Sequence, residues 1–198
     1  MLLPVERLLV RVRQVPSRAD ELLALRARLR RERAQRPGAE ERALALEMRR
    51  LKAEVARTVG EVDACGTCAT GKRAPRGTFA GGDCCAGITS DLFDDDQLAA
   101  IAQAGTLPRD LTPPREAHAG CAFRGPTGCT LDNADRPPRC VHYTCMTLRK
   151  ELRERGDLAA IDTKLDELAR AMKRFAALRA TRLDDELFAP LAEALSDR

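Results

Sequence analysis

All eight cysteines of this 198-residue chain fall between Cys65 and Cys145, with none in the 64 residues before or the 53 after. They run Cys65-x2-Cys68, then fifteen residues to the adjacent pair Cys84 and Cys85, thirty-five to Cys121, seven to Cys129, ten to Cys140 and four to Cys145. A two-residue gap lets two sulfurs converge from one tight turn, and four thiolates around one ion suit zinc or iron. Adjacent side chains diverge, so Cys84 and Cys85 read as serving two ions, or as a pair of which one bridges. Eight thiolates complete two tetrahedral zinc sites, one four-iron cluster plus a zinc, or a single cluster with thiols left for redox work. There is no C-x3-C-x2-C and no C-x2-C-x2-C run, which speaks against radical-SAM and bacterial-ferredoxin clusters.

The compartment decides between metal and disulfides. No stretch approaches the roughly 20 apolar residues that span a bilayer. The N-terminal run Leu8-Leu9-Val10 is interrupted by Arg7, Arg11 and Arg13, unlike a secretory signal. The expectation is a cytoplasmic chain whose thiols stay reduced and bind metal. His118 and His142 flank the second half of the cysteine region and either can replace a thiolate. The plainer reading packs His142 behind the ligands and leaves His118 on the surface. Arg136, Arg139 and Lys72 can offset the charge that several thiolates leave on a divalent ion, and Asp83 and Asp132 are minor oxygen-ligand candidates.

On either side of the cysteines the pattern is helical. Leu8, Val12 and Val15 share a helical face, although residues 9–13 also alternate like a strand. Pro16 breaks this element. Ser17 with Asp20 then resembles an N-cap arrangement opening a second helix with Ala19, Leu22, Leu25 and Leu29 in one stripe, ending near Arg36-Pro37-Gly38. From Ala39 a further helix carries Leu44, Met48, Leu51, Val55 and Val62 at steps of four and three, with Thr58 filling the pattern: a heptad seam. The short Pro-Gly connection predicts an antiparallel helical hairpin, with dimerisation or a protein partner through these N-terminal helices as the alternative use of the seam. Asp94 and Gln97 predict a capped short helix through Leu98 and Ile101, stopped by Gly105 and Pro108, followed by an extended connection over residues 106–120. A helix from Tyr143 or Thr144 to Arg155 ends at Gly156. Asp157 then caps one striped by Leu158, Ile161, Leu165, Leu168, Met172 and Phe175, with a separate last helix around Leu187–Leu195, near whose N-terminus Asp184 and Asp185 are favourable.

Charge is uneven: residues 1–62 hold 15 Lys/Arg against 9 Asp/Glu, residues 63–150 hold 10 against 10, and residues 151–198 hold 9 against 11. The basic excess lies on helices with interleaved acids and no aromatic residues to stack on bases, which reads as a solvated face and makes nucleic acid an unlikely partner.

Gly120-Cys121, Gly128-Cys129-Thr130-Leu131 and the run Arg136-Pro137-Pro138-Arg139-Cys140-Val141-His142-Tyr143-Thr144-Cys145 carry a likeness. This second half resembles the bacterial cysteine-cluster family of zinc- or iron-chelating domains, the YkgJ-like proteins, whose pattern is C-x2-C-x2-C-C followed by C…C…RP…C…C. The first half departs from it, with fifteen residues between Cys68 and Cys84 where the family has two. The resemblance implies metal chelation and no particular reaction.

The sequence therefore predicts a mainly α protein. A helical hairpin or coiled-coil arm (residues 1–62) and C-terminal helices (151–198) surround an irregular, metal-stabilised cysteine-rich centre (63–150). Its ligands are Cys65, Cys68, Cys84, Cys85, Cys121, Cys129, Cys140 and Cys145, and its cofactor is zinc or iron, the latter as an ion or an iron–sulfur cluster. The competing functions are a metal-dependent or redox enzyme using part of the cluster, for which no acid–base pair stands beside it in the sequence, and a helical adaptor or nucleic-acid-associated scaffold.

Overall fold

The computed structural model describes residues 17–60, 62, 89–116, 121–125, 128–142 and 144–196; the first expected element, over residues 8–15, lies outside them. The chain is mainly helical. Helix α1 (Arg18–Ala34) opens at a reciprocal cap: the Ser17 hydroxyl accepts from the Asp20 N–H and the Asp20 carboxylate accepts from the Ser17 N–H. Leu22, Leu25 and Leu29 are buried as the stripe predicts, while Ala19 is exposed. Helix α2 (Ala39–Val59) buries Met48, Leu51 and Val55 of the expected seam. It also buries Glu41, Ala45 and Lys52, which with Met48 and Val55 form a row at alternating steps of four and three.

The hairpin expected from Pro37-Gly38 is not what the packing displays. Each of the two helices has another element as its main packing partner. After the short α3 (Thr89–Leu92), helix α4 (Asp95–Gln103) packs on both α1 and α2. Asp94 caps α4 through its carboxylate, which accepts from the Gln97 N–H at 2.8 Å. Gly105, at φ 102°, turns the chain away behind it in a conformation that L side chains rarely adopt.

The region expected to be irregular contains short, definite elements. Strands β1 (Arg124–Gly125) and β2 (Gly128–Cys129) form an antiparallel ribbon with Arg124 opposite Cys129. A 3₁₀ turn over Asn133–Asp135, helix α5 (Pro138–His142) and helix α6 (Met146–Arg155) follow. Gly156, left-handed at φ 82°, ends α6 where the sequence places the stop.

The separate last helix expected around Leu187–Leu195 does not exist: α7 runs unbroken over Leu158–Ser196, 39 residues and about 58 Å. No glycine interrupts residues 157–189, the composition favours helix, and Arg182 pairs with Glu186 one turn on, across the expected break. Pro190 withdraws one backbone donor without ending the helix. Asp157 stands at the start of α7, its carbonyl accepting from the Ile161 N–H at 3.1 Å, and its carboxylate pairs with Arg155 at 2.7 Å.

Helix α2 packs chiefly along α7 and also meets α4, the 3₁₀ turn and α5. Three apolar clusters result. The first joins α1 and α4 to Phe93, Leu111, Phe123 and Leu131; the second joins α2, α4 and α7; the third joins Val55 to α6 and the start of α7. Ion pairs tie α7 down: Lys164–Glu54 at 2.8 Å, Arg179 to Glu32 and Asp96 at 3.1 and 2.9 Å, and Arg182–Glu41 at 2.8 Å. No helix among the described residues is long and apolar enough to cross a membrane.

Candidate metal centre

Cys65, Cys68, Cys84 and Cys85, with the fifteen-residue insertion, lie outside the described residues, as do Lys72, Asp83 and His118. The other four thiols have definite positions. Cys121 is buried in the turn that leads to β1, where the Arg124 N–H donates to its carbonyl at 3.2 Å. Cys129 ends β2, and the next residue's N–H donates to the Phe123 carbonyl at 2.9 Å, extending the ribbon. Cys140 is the middle residue of α5. Cys121 belongs to the first apolar cluster, and Cys129 and Cys140 pack against it. The antiparallel ribbon and the 3₁₀ turn after it thus bring three thiols, separated by up to nineteen positions, to one apolar cluster.

Cys145 goes elsewhere. It packs against the third cluster and caps α6, its sulfur accepting from the Leu148 N–H at 3.4 Å. Among the described residues no three of His, Cys, Asp and Glu stand together as a set able to hold a metal ion.

This segment is fastened to the helices by polar contacts that local pattern does not announce. Asp135 is buried. It accepts from the Thr106 hydroxyl at 2.7 Å and pairs with Arg49 at 3.5 Å, and Arg49 also donates to the Ala104 carbonyl at 3.0 Å. Lys52, only 2% exposed, donates to the Arg136 carbonyl at 3.2 Å, immediately before the Pro-Pro step into α5. Burial pushes its pKa down to about 8, against the pull of Asp135 and Asp132, with Arg49 adding to the depression. The buried Thr89 hydroxyl accepts from the Ala122 N–H at 2.9 Å. Asp132 is used locally, accepting from the Ala134 N–H at 2.8 Å to cap the 3₁₀ turn.

Lys52 was not singled out from the sequence, yet a signal exists. With Glu41, Ala45, Met48 and Val55 it lies on a row of alternating steps of four and three, so it is a charge on a seam. Glu41 is the other. Burial raises its carboxyl pKa, but hydrogen bonds from Arg182 and Gln103 and the Arg182 charge outweigh that and leave it lowered.

Helix α5 divides the Arg-Pro-bearing motif between two surroundings. Cys140 meets the first cluster, while Arg139 and His142, three positions apart and therefore on one helical face, line a cleft of ≈ 590 Å³ shared with α4 and α7. Burial lowers the His142 pKa, with Asp166 pulling the other way. No protein-family model, characterised protein or solved structure matches the chain.

Proposed function

We propose that this is a metal-binding cysteine-cluster protein of the YkgJ-like kind, holding zinc or iron through thiolates and having a structural role for the ion. The observation that supports this reading is the placement of Cys121, Cys129 and Cys140, from three separate short elements, in or against one apolar cluster, where they need further ligands because among the described residues they do not form a metal-holding set by themselves. Thiols drawn out of water are soft donors, and the donor chemistry fits zinc, iron or an iron–sulfur cluster. The Leu148 N–H bond to the Cys145 sulfur is of the type that stabilises negative charge on a ligating sulfur. Three thiols at one cluster and a fourth at another call for completion by Cys65, Cys68, Cys84 and Cys85, giving at least two groups of ligands. Bound metal would supply the cohesion that the Gly- and Thr-rich residues 63–88 lack in apolar side chains.

The test is elemental analysis with an absorbance spectrum of full-length protein purified without oxygen. Colourless protein with about two zinc ions per chain fits paired four-thiolate sites. Brown protein with iron and sulfide fits a cluster. Chelation then lowers the unfolding midpoint. Metal-free protein whose melting ignores both chelator and added metal overturns the proposal.

A further inference from the structure

The cleft beside α5 has the features of a small-molecule site, and nothing in the metal reading uses it. Its ≈ 590 Å³ falls within the roughly 300–1,000 Å³ usual for such sites. The floor is apolar, with Met48, Met172, Phe175 and Pro138 from three helices. Methionine thioethers adapt to varied apolar shapes, and an alkyl or aryl body would displace water from them.

The polar lining is unequal. Its acids are already engaged: Asp96 pairs with Arg179 at 2.9 Å, and the Asp94 carboxylate caps α4. Its cations are not: Arg139 and Lys173, both exposed, have no ion-pair partner among the described residues. Gln97 Oε1, an acceptor of the lining, is buried with no hydrogen-bond partner among the described residues. A buried acceptor without a donor is costly, so a ligand that brings an N–H or O–H gains what the free protein lacks.

We infer that this cleft binds an amphipathic organic anion, a carboxylate on an apolar body with a hydrogen-bond donor between the two. The apolar body lies on Met48, Met172 and Phe175, and the carboxylate meets Arg139 and Lys173. The amide or hydroxyl donor serves the acceptor oxygen of Gln97.

The experiment uses full-length, metal-replete protein with 13C-labelled methionine methyl groups, titrated with N-octanoylglycine. Saturable shifts are expected at Met48 and Met172, with Met146, which is 88% exposed and outside the lining, unchanged. The uncharged N-octanoylglycinamide should bind about tenfold or more weakly, the loss expected for a charge-assisted pair. Arg139→Gln with Lys173→Gln should abolish that difference, and Lys173→Gln alone should reduce it while leaving the thermal midpoint alone, since Lys173 has no ion-pair partner among the described residues and no part in the metal reading. Ala169→Phe, at an exposed wall position with room for the larger group, should block both ligands. Absence of saturable shifts, equal binding of acid and amide, or shifts that include Met146 each overturn the inference. Metal content is measured on the same samples, so failure here leaves the metal proposal standing or falling on its own test.

Discussion

The α2–α7 framework and the cysteine-bearing segment 121–145 are held together by different means. Along α2 and α7 each buried residue follows from its neighbours three and four positions away, and Met48, Leu51, Leu168 and Phe175 interlock with ion pairs along the edges. In the segment no element exceeds five residues. Its shape comes from contacts far away in sequence: Thr89 to Ala122, Thr106 to Asp135, Lys52 to the Arg136 carbonyl. The framework is specified locally and the segment non-locally. Removing one anchor should therefore loosen the segment while the framework persists, and the reverse should not hold.

The largest expected effect tests that asymmetry directly. Phe123 is 0% exposed and packs edge-on against Phe93, with ring centroids 6.1 Å apart. Phe123→Ala should cost about 3–5 kcal/mol, and Leu168→Ala in the framework about 2–5 kcal/mol. The distinguishing readout is hydrogen exchange with thiol labelling. Phe123→Ala should raise labelling of Cys121 and Cys140 while amides of α7 stay protected; Leu168→Ala should expose both regions. Equal loss of α7 protection in the two variants would mean that the regions do not differ in this way.

The same contrast explains what was legible beforehand. Ser17 with Asp20, the stripe from Leu158 to Phe175 and the stop at Gly156 are local signals, and the structure follows each. The hairpin reading rests on connector length alone, whereas packing partners are set by the apolar faces, which lay the first helix on α4 and the second along α7. Asp184 and Asp185 are favourable at a helix N-terminus and suggest a start before Leu187, while uninterrupted helix formers on either side carry α7 through. In the candidate site, the thiols themselves were obvious. What places Cys121, Cys129 and Cys140 at one cluster was not, because it depends on Phe93, Thr89 and Lys52, between 28 and 88 positions away.

Lys52, the charged link between the two regions, should give a pH signature of intermediate size. The folded state releases its proton near pH 8, whereas the unfolded chain holds it to about 10.5. Between those values the unfolded state binds more protons, so raising the pH favours the fold through this group. Below pH 8 both states are protonated and the contribution is flat. Relative to Lys52→Met, wild-type protein should gain stability from pH 8 upward, to a limit of about 3 kcal/mol. Urea unfolding of both proteins at pH 7.5, 8.5 and 9.5 measures it. A difference that does not change with pH would show that Lys52 titrates normally and is not buried against the Arg136 carbonyl.

The smallest effects compare one helix cap from each region. Ser17 does nothing but cap α1, so Ser17→Ala should cost about 1 kcal/mol whether or not metal is bound. Cys145 caps α6 with a sulfur that the metal proposal also needs. Serine is the better cap, so Cys145→Ser should change the stability of chelator-treated protein by less than about 1 kcal/mol, even stabilising it. In metal-replete protein the same change removes a thiolate, and metal content and unfolding midpoint should both fall. The hydroxyl therefore separates the two duties of one residue. If Cys145→Ser behaves alike with and without metal, Cys145 is a cap only, and the ligand set has to close on Cys121, Cys129 and Cys140 with the thiols of residues 65–85.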